Sequence, residues 1–128
     1  MIYLDTSVAL AHLLAADRSP PESLWRDPLV SSRLLEYELW TRIHARGLAR
    51  SHSEAARELL ARIGFLELAP PVLARALDPF PLPVRTPDAL HLASLEFLRG
   101  RGQRVSLASY DDRMVSMAKR LRIPIARV

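Results

Sequence analysis

Four acidic residues differ from the other acids of this chain because each adjoins a stretch that we predict to be buried. Asp5 and Asp111 each follow a short apolar run. Asp88 lies in the first turn of a predicted helix, and Glu38 interrupts an otherwise apolar segment. Clustered carboxylates repel one another and lose hydration on burial, so they are costly without a cation. Brought together, they would suit a hard divalent ion such as Mg²⁺ or Mn²⁺, which prefers oxygen ligands.

A divalent ion held by carboxylates could carry out phosphodiester hydrolysis. It polarises the phosphate and lowers the pKa of a bound water, and two ions about 4 Å apart stabilise both the attacking and the leaving oxygen. Each acid also has a simpler interpretation. Asp5 would be a turn residue, Asp88 would complement a helix dipole, and Asp111 or Asp112 would cap the last helix. The metal hypothesis therefore needs one fold that brings all four acids to one edge.

Short apolar runs alternate with helical patterns along the chain. The predicted strands cover residues 2–4, 29–31, 65–68, 105–108 and 123–126. The predicted helices cover residues 8–14, 32–47, 51–64, 72–77, 86–100 and 114–121. Because parallel neighbours need crossover connections, this alternation predicts a three-layer α/β/α domain with a mainly parallel central sheet. Ligands of such sheets gather at the carboxyl ends of the strands, where Asp5 and Asp111 fall.

Particular residues set the predicted helix boundaries. A capping box over Ser51-His52-Ser53-Glu54 begins the third helix, which ends near Gly64. Thr86 supplies the hydroxyl cap of the fifth helix, and Pro87 takes its first position. The buried stripe of the second helix is formed by Leu35, Leu39 and Ile43.

Length and composition limit the classes to which this chain could belong. Its 128 residues fit one domain, residues 1–128, and a content of 49% hydrophobic and 25% charged residues argues against disorder. The absence of cysteine excludes disulfides and thiolate chemistry. No apolar run reaches the roughly 20 residues of a membrane span, and the first residues do not form a signal peptide. We therefore expect a cytoplasmic protein.

The charge of the chain favours a polyanionic partner. Basic residues outnumber acidic ones by 18 to 14, the net charge is +4, and Lys119 is the only lysine. Arginine binds phosphate through paired hydrogen bonds and stacks on bases, which suits RNA. An arginine-rich proteome that places arginine on ordinary solvent-exposed faces explains the same composition equally well.

Other hydrolytic and nucleotide-binding motifs are absent from the sequence. No serine lies in a G-x-S-x-G motif, and the four glycines are too scattered to form a phosphate-binding loop. His91 lies about one turn after Asp88, but Leu90 and Leu92 flank it. We therefore predict that His91 packs in the core rather than acting as a base or a metal ligand.

Three segments, taken together and in order, resemble the PIN-domain ribonucleases, and within them the VapC-type toxins of bacterial and archaeal toxin–antitoxin modules. They are residues 2–7 (IYLDTS), residues 31–39 (SSRLLEYEL), and the pair 86–93 (TPDALHLA) with 109–114 (SYDDRM). The resemblance spans essentially the whole chain. It implies the PIN fold and a Mg²⁺- or Mn²⁺-dependent endoribonuclease that hydrolyses RNA with metal-activated water.

The resemblance also implies which residues form the site. The catalytic and metal-binding acids would be Asp5, Glu38, Asp88 and Asp111. Glu36 and Asp112 stay open as alternatives. Glu38 is preferred because the family's glutamate usually precedes an apolar residue, and Asp111 because the family's acid follows a strand-ending Thr/Ser-Tyr pair.

Supporting residues and partners follow from the same resemblance. We expect Thr6 to orient Asp5 through its hydroxyl and Ser109 to act likewise at the other strand end, although turn hydrogen bonds would explain both. Asp112 is a further supporting candidate. The implied partners are single-stranded or looped RNA, a VapB-like antitoxin that covers the active-site groove, and a second copy of the chain. Candidate contacts to the RNA backbone are Arg33, Arg42, Arg46, Arg85 and Arg113.

Three other functions compete with the toxin hypothesis. A response-regulator-like receiver fits poorly, because it needs an acidic pair after the first strand and Asp5 is followed by Thr6 and Ser7. A catalytically inactive RNA- or protein-binding module on the same fold stays open, as does a PIN-type RNA-processing nuclease without an antitoxin. All four acidic positions are filled, which favours metal chemistry over the inactive module.

Overall fold

The centre of the computed structural model is a parallel β-sheet, and the structure describes residues 1–15 and 17–128. In these residues the sheet has four strands in the spatial order β3-β2-β1-β4, with every neighbouring pair parallel. The strands are β1 (Ile2–Leu4), β2 (Leu29–Ser32), β3 (Ile63–Leu66) and β4 (Ser106–Ala108). Because β1 lies between β2 and β4, Tyr3 is opposite both Val30 and Leu107. The predicted parallel sheet is confirmed.

Helices connect successive strands in the described part of the chain, and one helix follows the last strand. They are α1 (Thr6–Leu13), α2 (Leu34–Ala45), α3 (Ala49–Ala61), α4 (Pro70–Leu77), α5 (Thr86–Gly100), α6 (Asp112–Arg120) and a short 3₁₀ helix at Glu22–Arg26. Among the described residues, none of these helices is long and apolar enough to cross a membrane.

The side chains of β1 divide the core into two halves. Successive residues of a strand lie on opposite faces of the sheet. Ile2 and Leu4 accordingly pack in one hydrophobic cluster with residues of α1, α2 and α3. Tyr3 belongs to a second cluster with residues of α5 and α6. The sheet is therefore covered by helices on both faces, which confirms the three-layer α/β/α fold.

The apolar stripe of α2 fixes the helix that carries Glu38. Leu35, Leu39 and Ile43 have no solvent exposure, as predicted from their spacing. Full burial of each such side chain contributes roughly 2 kcal/mol. The stripe holds α2 against α1 and α3, so Glu38 is carried by a well-packed helix rather than by a loop.

The predicted capping box at 51–54 is wrong. Helix α3 begins at Ala49, and the Ser51 hydroxyl donates to the carbonyl of Leu48 instead of capping the helix. The reason lies in the preceding turn, where Gly47 has a positive φ of 65° and the N–H of Leu48 donates to the carbonyl of Ile43. This arrangement ends α2 and lets the chain enter α3 at once.

Other predicted boundaries also differ from the structure, and three of them concern residues whose contacts explain the difference. Gly64 lies inside β3 rather than at a helix end, because Ile63 is buried and pairs with Leu29. Thr86 is the first residue of α5 and not its cap, and no side chain caps that helix. The predicted strand at 123–126 is reduced to one bridge between Leu107 and Ile125. Pro124 has no N–H with which to extend the ladder.

Candidate active site

Asp5 follows β1 directly and is held by two serine hydroxyls. Its Oδ2 atom accepts hydrogen bonds from Ser7 Oγ at 2.6 Å and from Ser109 Oγ at 2.7 Å. Its backbone N–H donates to the carbonyl of Ala108, the last residue of β4. The carboxyl ends of the two central strands are therefore joined around a carboxylate that is 5% exposed.

Asp111 both caps α6 and lies at the same edge. Its Oδ1 atom accepts from the backbone N–H groups of Arg113 at 3.0 Å and Met114 at 3.5 Å. Its own N–H donates to Ser109 Oγ at 3.0 Å, the hydroxyl that also holds Asp5. Asp112 is the first residue of α6 and is exposed. Of the two neighbouring acids, Asp111 is the one connected to Asp5.

Asp88 lies in the first turn of α5 beside Arg85. The Nε atom of Arg85 is 3.4 Å from Asp88 Oδ2, and its terminal nitrogen is 3.6 Å from Asp111 Oδ2. Burial raises the pKa of Asp88 above its ordinary value. Arg85 opposes that rise, while the negative charges of Asp111 and Asp5 add to it. Three carboxylates thus share one negative region, and one arginine partly neutralises it.

Glu38 is connected to this region through Thr6. Its Oε1 atom accepts from Thr6 Oγ1 at 2.9 Å and from His91 Nε2 at 2.6 Å. Burial alone would raise the pKa of Glu38, but hydrogen bonds from His91 and Thr6 and the charge of Arg42 hold it below the usual value. Glu36 instead pairs with Arg33 at 2.8 Å on the surface. Of the two glutamates, Glu38 is therefore the one bonded to Thr6, the residue that follows Asp5.

Two hydroxyl assignments made from sequence differ in outcome. The expected bond from Thr6 to Asp5 is wrong, since Thr6 donates to Glu38. Ser109 does hold an acid, and that acid is Asp5. The sequence analysis missed Ser7, which orients Asp5 and also accepts from the N–H of Tyr110. Its position two residues after a strand-end aspartate was the available signal.

His91 is buried, as predicted, but the sequence analysis missed its polar contacts. The residue is 2% exposed, and its ring joins Tyr3 on one side to Glu38 on the other. The signal was its spacing from Asp88, since residues three apart lie on the same face of a helix. A histidine on the face of α5 that carries a site acid can reach the site from the core.

The donor chemistry of these acids fits a hard divalent cation. Structural hydrogen bonds occupy Oδ2 of Asp5, Oε1 of Glu38 and Oδ1 of Asp111. Among the described residues, no hydrogen bond to the second carboxylate oxygen of Asp5 or Glu38 is present. In residues 1–15 and 17–128, no three acidic or histidine side chains lie close enough together to hold an ion directly. Mg²⁺ usually keeps several waters when it binds a protein. Carboxylates that are too far apart to coordinate the ion together can therefore still bind it through those waters.

A groove of about 550 Å³ borders the acidic edge. Arg85, Asp88 and Arg113 line it together with apolar residues, among them Leu92 and Met117. The other arginines that we named as RNA contacts differ in position. Arg33 is bound by Glu36 and Glu67, and Arg46 is exposed just after α2. Arg42 is exposed on α2, and its charge lowers the pKa of Glu38. Arg85 and Arg113 are the two that line the groove.

Known proteins are similar to this chain in sequence and in fold. The family model described as PIN domain matches residues 2–120. Ribonuclease VapC46 of Mycobacterium tuberculosis is 35% identical, and the match covers 94% of this chain and 92% of that protein. The crystal structure of VapC20 from the same organism, described as a toxin that cleaves the sarcin-ricin loop, superposes with a TM-score of 0.68. It is 21% identical and covers 91% of this chain and 94% of its own, so it shows the shared fold.

Proposed function

This chain belongs to the PIN domain family, and we propose that it is a metal-dependent endoribonuclease, the toxin of a toxin–antitoxin module. The observation that carries the proposal is that Asp5, Asp88 and Asp111 share one negative region at the carboxyl edge of a parallel sheet. Glu38 is hydrogen-bonded to Thr6, the residue that follows Asp5. Its similarity to Ribonuclease VapC46 over most of both chains supports RNA as the substrate.

The proposed metal ligands are Asp5, Glu38, Asp88 and Asp111, directly or through water. When bound there, Mg²⁺ or Mn²⁺ would supply a water of lowered pKa and would offset charge on the phosphodiester. The oxygen-only donor set and the like-charge cluster around Asp88 support this choice of ion. Mg²⁺ and Mn²⁺ both prefer oxygen ligands and both carry the charge that this cluster needs.

The chain's own residues then divide the remaining work. Ser7 and Ser109 keep the Asp5 carboxylate in one orientation. Arg85 and Arg113, on the wall of the groove, would bind phosphates of a single-stranded or looped RNA. The low pKa of Glu38 keeps that side chain ionised at neutral pH, as a metal ligand must be.

The partners and location follow from family membership. We propose a VapB-like antitoxin that covers the groove lined by Arg85 and Arg113, and a homodimer as the toxin's own state. We place the protein in the cytoplasm, the compartment that holds RNA substrates and suits a chain without cysteine. We also propose that residues 1–128 form one domain.

The test is cleavage of end-labelled single-stranded RNA by purified protein. We expect cleavage with Mg²⁺ or Mn²⁺, none with a chelator, and none from Asp88→Asn. Glu54→Gln, an exposed acid on α3, is the matched control and should cleave at the rate of the wild type. Metal-independent cleavage, or an active Asp88→Asn variant, would contradict the proposal. Tight RNA binding without cleavage would instead favour the inactive binding module.

A further inference from the structure

A buried chain of hydrogen bonds runs from the sheet to the candidate site. The backbone N–H of Ser32 donates to the Tyr3 hydroxyl at 3.1 Å, and that hydroxyl lies 2.8 Å from His91 Nδ1. The other ring nitrogen, Nε2, lies 2.6 Å from Glu38 Oε1. Tyr3 has no solvent exposure and His91 is 2% exposed. This chain crosses from β1 through α5 to α2.

We infer that Tyr3 and His91 are positioning residues that fix the Glu38 carboxylate, with a proton on His91 Nε2 that is donated to Glu38. The inference rests on the proposed function, since it concerns the orientation of a proposed metal ligand. It adds two residues, neither of them an acid, to the parts of the chain on which cleavage depends.

The direction of the bond to Glu38 follows from its acceptor. An ionised carboxylate only accepts, so His91 Nε2 carries a proton and donates it to Glu38 Oε1. A backbone N–H only donates, so the Tyr3 oxygen accepts from Ser32, and the Tyr3 O–H lies within hydrogen-bond distance of His91 Nδ1. The opposite tautomer would place a nitrogen lone pair against a carboxylate oxygen 2.6 Å away, which is repulsive.

The two donors to Glu38 meet the same oxygen. Thr6 Oγ1 and His91 Nε2 both donate to Oε1, at 2.9 and 2.6 Å. A glutamate side chain has several freely rotating bonds, and holding it in one conformer costs entropy. Two donors from separate elements, α1 and α5, offset that cost. With Oε1 occupied, Oε2 is the oxygen left to serve the site.

The edge-on packing of the two rings adds rigidity. The planes of Tyr3 and His91 are inclined by 82°, with centroids 5.9 Å apart. This orientation brings the Tyr3 hydroxyl into reach of Nδ1 while the ring itself is packed among apolar residues of α5 and α6. Rotation of the imidazole would break both of its short hydrogen bonds, so the ring has one favoured setting.

The first experiment reads the tautomer without any enzymatic activity. Nitrogen-15 NMR of the histidine rings at neutral pH should show His91 protonated on Nε2. In Tyr3→Phe the Nδ1 signal should shift as its hydrogen-bonding partner is lost. A His91 ring without a proton on Nε2 would overturn the inference whether or not the chain is a nuclease.

The second experiment separates positioning from folding. His91→Leu should lower kcat by about 10- to 100-fold, the range typical of residues that orient metal ligands, with KM nearly unchanged. His91→Gln, whose amide can still donate towards Glu38, should recover part of the loss. Tyr3→Phe should give the smallest loss of the three. Each variant is compared at a temperature where its circular dichroism matches that of the wild type.

The outcomes distinguish this inference from the proposed function. If the wild type cleaves RNA and correctly folded His91→Leu retains full kcat, the positioning role is wrong and the nuclease stands. If His91→Gln is no better than His91→Leu, the donor is not what matters, and the inference fails. If the wild type shows no cleavage, the proposed function fails, and the NMR result alone decides the hydrogen-bond chain.

Discussion

The candidate site consists of two pairs of acids that are held in different ways. Asp5 and Glu38, the fixed pair, each accept two short hydrogen bonds from side chains on one carboxylate oxygen. Asp88 and Asp111, the open pair, meet the side chain of Arg85 at 3.4 and 3.6 Å, and that arginine is 68% exposed. The fixed pair is oriented before any ligand arrives, whereas the open pair is neutralised by a side chain that is free to leave.

Glu38 and Asp88, one acid from each pair, have pKa shifts of opposite direction. Hydrogen bonds from His91 and Thr6 overcome burial and lower the pKa of Glu38. Burial and the neighbouring carboxylates raise the pKa of Asp88 despite Arg85. The fold therefore stabilises charge at Glu38 and opposes it at Asp88, where a bound cation would relieve the unfavourable charge.

The two strand-end acids, Asp5 and Asp111, give the largest expected contrast between the pairs. Asp5→Asn should lower the rate of single-turnover RNA cleavage by about 10²-fold or more, the scale of losing one preorganised electrostatic group. Asp111→Asn should lose less, because Asn also caps helices well and α6 stays intact. Asp27→Asn, an exposed acid outside the site, is the control. Equal losses at Asp5 and Asp111 would remove the distinction between the pairs.

The serine hydroxyls of the fixed pair provide a smaller effect. Ser109→Ala removes a 2.7 Å hydrogen bond to Asp5, worth about 1.5–3 kcal/mol because the acceptor is charged. We expect a cleavage rate at least about tenfold lower and a lower melting temperature. Ser23→Ala, at an exposed serine, should change neither. A fully active Ser109→Ala protein would show that the orientation of Asp5 does not limit the reaction.

For Arg85, which contacts both acids of the open pair, we expect a substitution to raise metal affinity and not to lower it. Arg85→Ala removes a cation that competes with a metal ion for Asp88 and Asp111, so Mn²⁺ affinity should rise. An exposed ion pair is worth up to about 1 kcal/mol, which corresponds to a gain of about two- to fivefold. Titration calorimetry measures it, with Arg101→Ala, which contacts the ring of Phe97, as the control. Weaker Mn²⁺ binding in Arg85→Ala would mean that the arginine supports the ion.

The smallest expected effects are changes in the stability of the metal-free protein. They have opposite signs in variants of Glu38 and of Asp88. Glu38, with a lowered pKa, stabilises the fold above its unfolded pKa, and this contribution is lost as pH falls through the folded value. Asp88, with a raised pKa, destabilises the fold once pH rises through the window between its unfolded and folded values. At neutral pH, Glu38→Gln should therefore lower the melting temperature and Asp88→Asn should raise it.

Acidification sharpens this test. Both differences from the wild type should shrink as pH falls, because each acid becomes protonated in the wild-type protein. Melting curves in chelator from neutral to acidic pH would measure them, with Glu54→Gln as the exposed control. Changes of the same sign in the two variants would show that the fold treats the two pairs alike.

The fixed and open pairs also differ in what the sequence could predict. The strand-end positions of Asp5 and Asp111 follow from apolar runs and strand alternation, and these are local patterns. The hydrogen bond from Ser109 to Asp5 joins residues 104 apart, and the one from His91 to Glu38 joins residues 53 apart. The first contact depends on the pairing of β1 with β4 and the second on the packing of α2 against α5, which no local pattern encodes. The acids were therefore predictable, and of the groups that hold them the sequence analysis named Ser109 but missed Ser7 and His91.

Local signals also failed where tertiary packing was stronger. The hydroxyl of Ser51 matched a capping box, yet the positive φ of Gly47 and the packing of Leu48 against the core start α3 two residues earlier. The strand predicted at 123–126 is limited to one bridge, because Pro124 cannot donate a backbone hydrogen bond to the neighbouring strand. The prediction followed the apolar composition of the segment and did not take this proline into account. Both errors lie away from the acidic edge and leave the site unchanged.

The central claim, that these four acids jointly hold a divalent cation, is tested most directly by a crystal structure of the wild-type protein grown with Mn²⁺. Anomalous scattering locates the ion. We predict a peak among the four carboxylates, with Asp5 and Glu38 keeping their hydrogen bonds to Ser109 and His91 and with Arg85 displaced from the open pair. A peak elsewhere, or no peak while Arg85 still contacts Asp88 at saturating Mn²⁺, would contradict the account.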